Sequence, residues 1–241
     1  RCSSDLALAN ARGNLDSMPE TFSLEYRRSR YESMGRLVSQ TCSLLRSRIN
    51  DLPTFTEQEA RRVLNDELRI QNRFREFFEL ETPALRIRCH GDFHLGQVLW
   101  TGQDFLITDF EGEPARPLSE RCTKHSPIMD VAGMLRSFYY APYASQLHQQ
   151  LGLYTEDAGA SFEPWIRFWY GWVSVAFLKS YLRIAESVSF WPGTLSALRI
   201  LLDAHLLEKA VYEIGYELNN RPDWVRIPIR GVLDMLEMHA G

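Results

Sequence analysis

The sequence lacks three features that would place it in large classes of protein. It has no basic tract, and its net charge of -4 is spread along 241 residues, so nucleic acid is not indicated as a partner. Its four cysteines include no CxxC pair, which favours free thiols over a disulfide framework. Its longest apolar run, residues 169–178, is half of the roughly 20 residues that a membrane-spanning helix needs. We therefore expect a cytoplasmic protein that acts neither on nucleic acid nor in a membrane.

Most of the chain has the apolar spacing of α-helices. Of its residues, 45% are apolar and 24% are charged, which is ordinary for a folded domain with a real core. Helices are predicted over residues 25–49, from a capping box at Thr56–Glu59 through residue 78, and behind Pro127. Further helices are predicted over residues 163–185 and 194–218 and after Pro228. In the helix predicted over residues 163–185, which is rich in aromatic residues, Trp165, Trp169 and Trp172 are expected to pack in the core.

The middle of the chain is different, because short apolar runs alternate there with turn residues. Leu85–Cys89 alternates as a strand does, and the runs at residues 97–100 and 105–108 flank the turn-rich tetrad TGQD. This pattern predicts a small β-hairpin between residues 97 and 109. The fold class is therefore α+β and mostly α-helical. Since neither a repeat nor a low-complexity linker interrupts the chain, we expect one domain over residues 1–241.

A polar loop, HGDFHLGQ, leads into the predicted hairpin at residues 90–97. Phosphoryl transfer needs a carboxylate that orients and deprotonates the attacking hydroxyl, together with hard oxygen ligands for Mg²⁺. A loop of the form D-x-x-x-x-N supplies both, and here Asp92 and Gln97 have that spacing with an amide one methylene longer. Asp109 follows the second strand, where the hairpin would bring it back to the loop. The order of these elements predicts phosphotransfer chemistry.

The same loop also permits a metallohydrolase interpretation. His90, Asp92 and His94 alternate as H-x-D-x-H, and imidazole suits zinc or iron. Two glycines interrupt the loop, however, and no third histidine follows at a useful spacing.

Three blocks of the sequence resemble maltokinases. They are HGDFHLGQVLW, then ITDFEGEPARPLSERCTKHSPIMDVAGMLRSFYYA, and then LLEKAVYEIGYELNNRPDWVRIPIRG. Maltokinases belong to the aminoglycoside phosphotransferase-like group, so the resemblance implies the C-terminal lobe of a protein-kinase-like fold, with the hairpin carrying the catalytic loop. It also implies ATP-dependent, Mg²⁺-dependent phosphorylation of maltose at its anomeric hydroxyl, giving maltose 1-phosphate for α-glucan and glycogen synthesis.

The resemblance implies a role for each residue that matches the family pattern. Asp92 corresponds to the catalytic base, and Gln97 and Asp109 correspond to the Mg²⁺ ligands. The residues assigned to acceptor binding are Asp92, His94, Glu111, Lys209, Tyr212, Glu213 and Tyr216. The residues assigned to support of the site are His90, Asp130, Arg116, Arg121 and Lys124.

Several of these assignments have alternatives. Glu111 could instead form a salt bridge to Arg116 or Arg121, and the basic cluster of Arg116, Arg121 and Lys124 could face either carboxylates or phosphate. His90 is expected to hold the loop by hydrogen bonds, and Asp130 to brace its backbone from a helix start.

The spacing of four residues in the predicted helix 194–218 also indicates a sugar-binding face, independently of the resemblance. Lys209, Tyr212, Glu213 and Tyr216 recur at i, i+3, i+4 and i+7, so they share one helix face. Tyrosine rings can stack on the C–H faces of a sugar while the charged groups bind its hydroxyls. A partly buried aromatic seam is the other interpretation. Trp224 is expected to wall the same pocket.

The sequence contains no GxG and no V-A-I-K-like strand ahead of its helices, although kinases of this type hold ATP with such a small lobe. We therefore expect a missing N-terminal lobe, a fragment that is inactive alone, and an upstream trehalose synthase domain as in some fused maltokinases. The alternatives are a non-catalytic saccharide-binding or interaction domain of kinase descent, and a kinase that acts on another small hydroxyl acceptor.

Overall fold

The computed structural model describes residues 18–113, 117–148, 156–185 and 190–238, and helices dominate them. The α-helices are α1 (Leu24–Arg48), α2 (Thr54–Asn65), α3 (Glu67–Glu79), α4 (Leu118–Arg121), α5 (Ile128–His148), α6 (Glu156–Ala185), α7 (Leu195–Asn220) and α8 (Arg226–Glu237). The strands are β1 (Glu20–Thr21), β2 (Leu85–Arg86), β3 (Val98–Trp100) and β4 (Phe105–Ile107). Short 3₁₀ segments lie at Ile49–Asp51, Leu95–Gln97 and Pro222–Trp224.

The chain divides into two compact units. Unit 1 comprises Arg1–Glu20 and Leu85–Trp191, and unit 2 comprises Thr21–Ala84 and Pro192–Gly241. The hairpin and helices α4 to α6 therefore lie in unit 1, whereas α1 to α3, α7 and α8 lie in unit 2. The interpretation of the whole chain as one kinase-like lobe stays a prediction.

Unit 2 has a dense helical core. Its fully buried side chains include Met34, Leu45, Ile70, Phe74, Phe77, Leu201, Ile214, Ile229 and Leu236. Helix α1 begins where Ser23 accepts a hydrogen bond from the backbone N–H of Tyr26, and α7 begins at Thr194, which accepts one from Ala197. Within this core Arg30 and Glu208 form a buried ion pair, with 2.6 Å between the guanidinium nitrogen and each carboxylate oxygen. Burial also raises the pKa of the Cys42 thiol to about 11, with a smaller contribution from the charge of Glu67.

The predicted capping box at Thr56–Glu59 is wrong. Helix α2 begins at Thr54 with Pro53 at its N-cap position, so Thr56 lies inside the first turn and is buried. The side chain of Glu59 does not cap the helix. Its carboxylate accepts hydrogen bonds from Arg226 at 3.1 Å and from Arg230 at 2.9 Å. These contacts tie α2 to α8.

The predicted hairpin in unit 1 is confirmed. Strands β3 and β4 pair antiparallel, with Val98 opposite Ile107 and Trp100 opposite Phe105. The strand predicted at residues 85–89 is shorter, because only Leu85–Arg86 is regular and Ile87 then forms an isolated bridge with His125.

The predicted core position of three tryptophans in helix α6 is wrong. Trp165, Trp169 and Trp172 are all exposed, at 69%, 43% and 62% of their surface. Helix α6 instead buries Ile166 and Tyr181, and its Tyr170 meets Tyr139 of α5 edge to face. The helical period therefore identified an aromatic face, but that face is the outer one. Across the described ranges, none of the helices is both long enough and apolar enough to cross a lipid bilayer.

Candidate active site

The loop that follows β2 is clamped at its start by Asp130. This aspartate lies in the first turn of α5 and is buried. Its carboxylate accepts hydrogen bonds from the backbone N–H groups of His90 at 2.6 Å and Gly91 at 2.9 Å. Burial raises the pKa of this carboxyl, and the two backbone hydrogen bonds oppose that rise. A single side chain therefore fixes the backbone of the loop just ahead of Asp92.

The imidazole of His90 clamps the loop from the other side. Its Nε2 lies 2.8 Å from the main-chain oxygen of Thr108, at the end of β4, and the ring packs 4.8 Å from that of Phe110. Gly91 has φ 86°, and a Cβ there would lie 3.1 Å from the Cα of Gly112. Both a left-handed backbone and this close approach require glycine. The loop and the DFEG segment are thereby held against each other.

The two predicted metal ligands are in direct contact. The side-chain amide of Gln97 donates a hydrogen bond to the carboxylate of Asp109 at 2.9 Å. The hydroxyl of Thr108 donates to the side-chain oxygen of Gln97 at 3.3 Å, and Thr108 also donates its N–H to the Gln97 carbonyl at 3.0 Å. Asp109 adopts a left-handed backbone with φ 62°, which is strained for a residue with a side chain and frequent at functional sites.

Oxygen donors predominate in this arrangement, and the two histidines of the loop are engaged elsewhere. The exposed carboxylate of Asp109 and the side-chain oxygen of the partly buried Gln97, which accepts from Thr108, are hard oxygen donors, the donor type that Mg²⁺ prefers. Within the described ranges no group of three or more His, Cys, Asp and Glu side chains is placed to hold a metal. His90 is instead engaged with Thr108, and His94 with the backbone of Gly96.

Asp92 is positioned by the loop and faces a histidine. Its side chain is 19% exposed, and one carboxylate oxygen lies 3.7 Å from Nε2 of His94. The turn after it is also fixed, because the N–H of Leu95 donates to Ser137 of α5 at 3.0 Å. Gly133 of α5 has no room for a side chain, since a Cβ there would lie 2.7 Å from the Phe93 carbonyl oxygen.

A pocket of about 340 Å³ lies beside the DFEG segment. It is lined by Arg88, Phe110, Glu111, Leu118, Arg121 and Cys122. Arg121 donates to the main-chain oxygen of Glu111 at 3.4 Å. Its described contact to this residue is thus with the backbone rather than with the carboxylate.

Lys124, another member of the predicted basic cluster, binds a different carboxylate. Lys124 donates to Glu20 at 2.8 Å, and Arg86 binds the other oxygen of that carboxylate at 2.6 Å. The hydrogen bond from Lys124 is the main cause that lowers the pKa of Glu20. Arg116 lies outside the described residues.

The predicted sugar stripe is a continuous row on α7, in unit 2. The Lys209 ammonium lies 5.2 Å from the centre of the Tyr212 ring, and that ring is 6.3 Å from Tyr216. Tyr216 is exposed, whereas Glu213 is buried. Trp224 is covered by the guanidinium of Arg221 at 4.4 Å.

Sequence reasoning missed Thr108, Gly112 and Ser137 as parts of the site. Thr108 directly precedes the DFEG segment, so a search for hydroxyls next to the second acid would have found it. Gly112 and Ser137 carried no local signal, because their roles depend on contacts with residues far away in the sequence.

Comparison with known proteins identifies the class to which this fold and loop belong. The phosphotransferase enzyme family matches residues 8–165. The chain belongs to this family. Among curated proteins it resembles the glucosamine kinase of Mycolicibacterium smegmatis (strain ATCC 700084 / mc(2)155), with 30% identity over 143 residues. It also resembles the glucosamine kinase of Streptacidiphilus jiangxiensis, with 27% identity over 159 residues.

These matches cover 58% and 64% of the chain, but only 32% of each relative. Among solved structures, a crystal form of glucosamine kinase matches with a TM-score of 0.73 at 23% identity, over 96% of this chain and 50% of that one. Glucosamine kinase in complex with glucosamine, ADP and inorganic phosphate matches with a TM-score of 0.69 at 23% identity, over 95% and 48%. The predicted fold class, the mostly helical, kinase-like fold of this family, is confirmed. The chain spans about half the length of the solved structures it matches.

Proposed function

We propose that the chain forms the large lobe of an ATP-dependent sugar kinase, with the HGDFHLGQ loop as its catalytic loop. The observation that carries the proposal is the contact between Gln97 and Asp109, 2.9 Å apart, at the end of a loop whose backbone Asp130 holds. Family membership and the names of the relatives support it.

In this proposal Asp92 is the general base. Its carboxylate accepts the proton of a sugar hydroxyl while that oxygen bonds to the γ-phosphorus of ATP, and the bond between that phosphorus and the bridging oxygen of ADP breaks. The products are a sugar phosphate and ADP. Gln97 and Asp109 would hold Mg²⁺, which supplies neutralising charge to the phosphates when bound. His90 and Asp130 keep the loop in place.

Maltose is the first candidate acceptor, on the strength of the sequence resemblance. Glucosamine is the second, because both curated relatives are named as glucosamine kinases and one matching structure contains glucosamine. Since the aligned part is only 32% of each relative, we propose that an ATP-gripping lobe from elsewhere in a longer protein completes the site. A trehalose synthase fusion stays a prediction.

The test is phosphorylation by the longest natural polypeptide that contains this chain, supplied with ATP and Mg²⁺. Maltose, glucosamine and glucose are offered separately, and the product is identified by mass and by ³¹P NMR. Replacing Asp92 with asparagine is expected to lower kcat about 10²- to 10⁴-fold, the usual contribution of a positioned base, while sugar binding is retained.

Asp51→Asn is the matched control, because it makes the same chemical change at an exposed position in unit 2 and is expected to leave kcat unchanged. Phosphorylation of glucosamine alone would exclude maltose and keep the kinase. Saccharide binding without turnover, and without any effect of Asp92→Asn, would instead support a non-catalytic saccharide-binding domain.

A further inference from the structure

The hydrogen bonds of His94 fix which ring nitrogen carries its proton. His94 precedes the 3₁₀ segment Leu95–Gln97, and its Nδ1 accepts a hydrogen bond from the backbone N–H of Gly96 at 3.0 Å. A nitrogen that accepts a hydrogen bond is unprotonated. The neutral ring must therefore carry its proton on Nε2.

The charged group nearest to that nitrogen in the loop is the carboxylate of Asp92. Nε2 of His94 lies 3.7 Å from Oδ2 of Asp92. The separation is longer than a hydrogen bond, and catalytic hydrogen bonds are often long in the absence of substrate and shorten when the complex forms. A small rotation of either side chain brings donor and acceptor into range.

Gly96 leaves room for the imidazole ring of His94 because it has no side chain. A Cβ on Gly96 would lie 2.7 Å from Cε1 and 2.9 Å from Nδ1 of His94. The backbone of Gly96 is not left-handed, so the effect of an alanine here would be to displace the imidazole. Glycine therefore lets the ring lie against the turn that it caps.

We infer that His94 is a positioning residue for Asp92: its Nε2–H binds the Oδ2 atom of the carboxylate and fixes the orientation of that side chain. Sequence analysis assigned His94 to acceptor binding, so this is a different role. Its catalytic consequence rests on the proposed function, whereas the tautomer and the contact do not. One part of the test is therefore independent of activity.

The first experiment uses ¹⁵N NMR of the histidine rings in this chain. The His94 signals are identified by their loss in His94→Gln. Above the pH at which the ring loses its charge, the expected form has Nε2 protonated and Nδ1 unprotonated. Asp92→Asn is expected to shift the Nε2 resonance, and Asp51→Asn is expected to leave it in place. The opposite tautomer, an average of the two, or no response to Asp92→Asn would overturn the inference.

The second experiment uses kinetics of the active polypeptide with its best sugar. Asparagine at position 94 can still accept from the Gly96 N–H but places no donor near Asp92, whereas glutamine places its amide nitrogen close to the position of Nε2. We expect His94→Asn to lower kcat about 10- to 100-fold, as for other orienting partners, with KM changed less than about threefold. His94→Gln is expected to restore most of kcat. Gly96→Ala should resemble His94→Asn, because its Cβ displaces the ring.

The outcomes separate the competing roles of His94. A rise in KM with kcat unchanged would make it an acceptor-binding residue. Normal kinetics for His94→Asn together with impaired His94→Gln would make it only a cap for the turn. Failure of every sugar to react with the unaltered protein would contradict the proposed function, and the NMR result would then decide the contact with Asp92 by itself.

Discussion

The two units differ in where they place their large apolar side chains. In unit 2 most of the exposed ones lie far apart in the sequence, as Phe55, Leu68, Leu195 and Met238 do, and single exposed apolar side chains are normal for a folded surface. In unit 1 they are grouped. The hairpin exposes Leu99, Trp100, Phe105 and Leu106, and one face of α6 exposes Trp165, Phe168, Trp169, Trp172 and Val175. Grouped apolar surface marks contact or ligand sites more often than scattered residues do.

Charged side chains show the opposite distribution. Unit 2 buries Arg30 together with Glu208, and it buries the carboxylate of Glu59, which binds the partly exposed Arg226. In unit 1 the candidate catalytic groups Gln97 and Asp109 lie at the surface, and Asp92 is partly exposed. Unit 2 therefore uses its polar groups to fix the packing of its helices. In unit 1 the buried carboxylate of Asp130 instead holds the backbone of the loop that carries the partly exposed Asp92.

The largest effect is expected at the buried pair of unit 2. Glu208→Ala would remove the carboxylate that lies 2.6 Å from the buried guanidinium of Arg30. Breaking a buried pair in this way costs about 3–5 kcal/mol of unfolding free energy. Urea denaturation followed by circular dichroism measures it.

The control for this change is Glu57→Ala in α2. It removes the solvent-accessible ion pair that Glu57 forms with Arg61, one turn further along α2. It should cost no more than about 0.5 kcal/mol. Equal costs for the two variants would contradict the view that the buried ion pair stabilises unit 2 more than the solvent-accessible ion pair does.

A smaller effect is expected at the one buried carboxylate that holds the candidate loop in unit 1. Asp130→Asn keeps the shape of the side chain but presents an amide N–H to one of the two backbone donors of His90 and Gly91. We expect a cost of about 1–3 kcal/mol, the usual range for an unsatisfied buried group. Asp130→Glu is the partner variant, because it keeps the charge and shifts its position.

The cost should also depend on pH. Because burial raises the pKa of Asp130 in the folded state, the folded protein holds this proton more tightly than the unfolded chain does. The contribution of the carboxyl is therefore complete below the ordinary aspartate pKa and declines as the pH rises through the raised one. The stability difference between the unaltered protein and the Asp130→Asn variant should therefore shrink as the pH rises above the ordinary aspartate pKa. A difference that grows with pH would mean that the backbone hydrogen bonds outweigh burial.

What could be predicted from the sequence is what short-range patterns determine. The hairpin followed from two apolar runs around TGQD, and the pairing of Val98 with Ile107 then brings Gln97 next to Asp109. Most helices followed from their apolar period. The start of α2 did not, because Glu59 is held by arginines more than 160 positions away, and no local motif reports such partners.

The contacts of the candidate site show the same limit. The order of the HGD loop, the amide at Gln97, the hairpin and Asp109 indicated phosphotransfer chemistry. The anchoring of Leu95, by contrast, depends on Ser137 from a later helix. The tryptophans of α6 were misplaced for a related reason. A helical period identifies a face, whereas only the neighbours of the helix determine whether that face is inside or outside.

The smallest effect is therefore expected on the outer face of α6, and it tests the comparison of the two units most directly. Trp172 is 62% exposed and Ile166 is buried on the same helix. Trp172→Gln should change the unfolding free energy of the chain by no more than about 0.5 kcal/mol, whereas Ile166→Ala should cost about 2–5 kcal/mol. Thermal and urea denaturation of the two variants side by side measure both. If Trp172→Gln cost as much as Ile166→Ala, the aromatic face would be covered in the folded chain, and the grouped apolar surface of unit 1 would be part of its core.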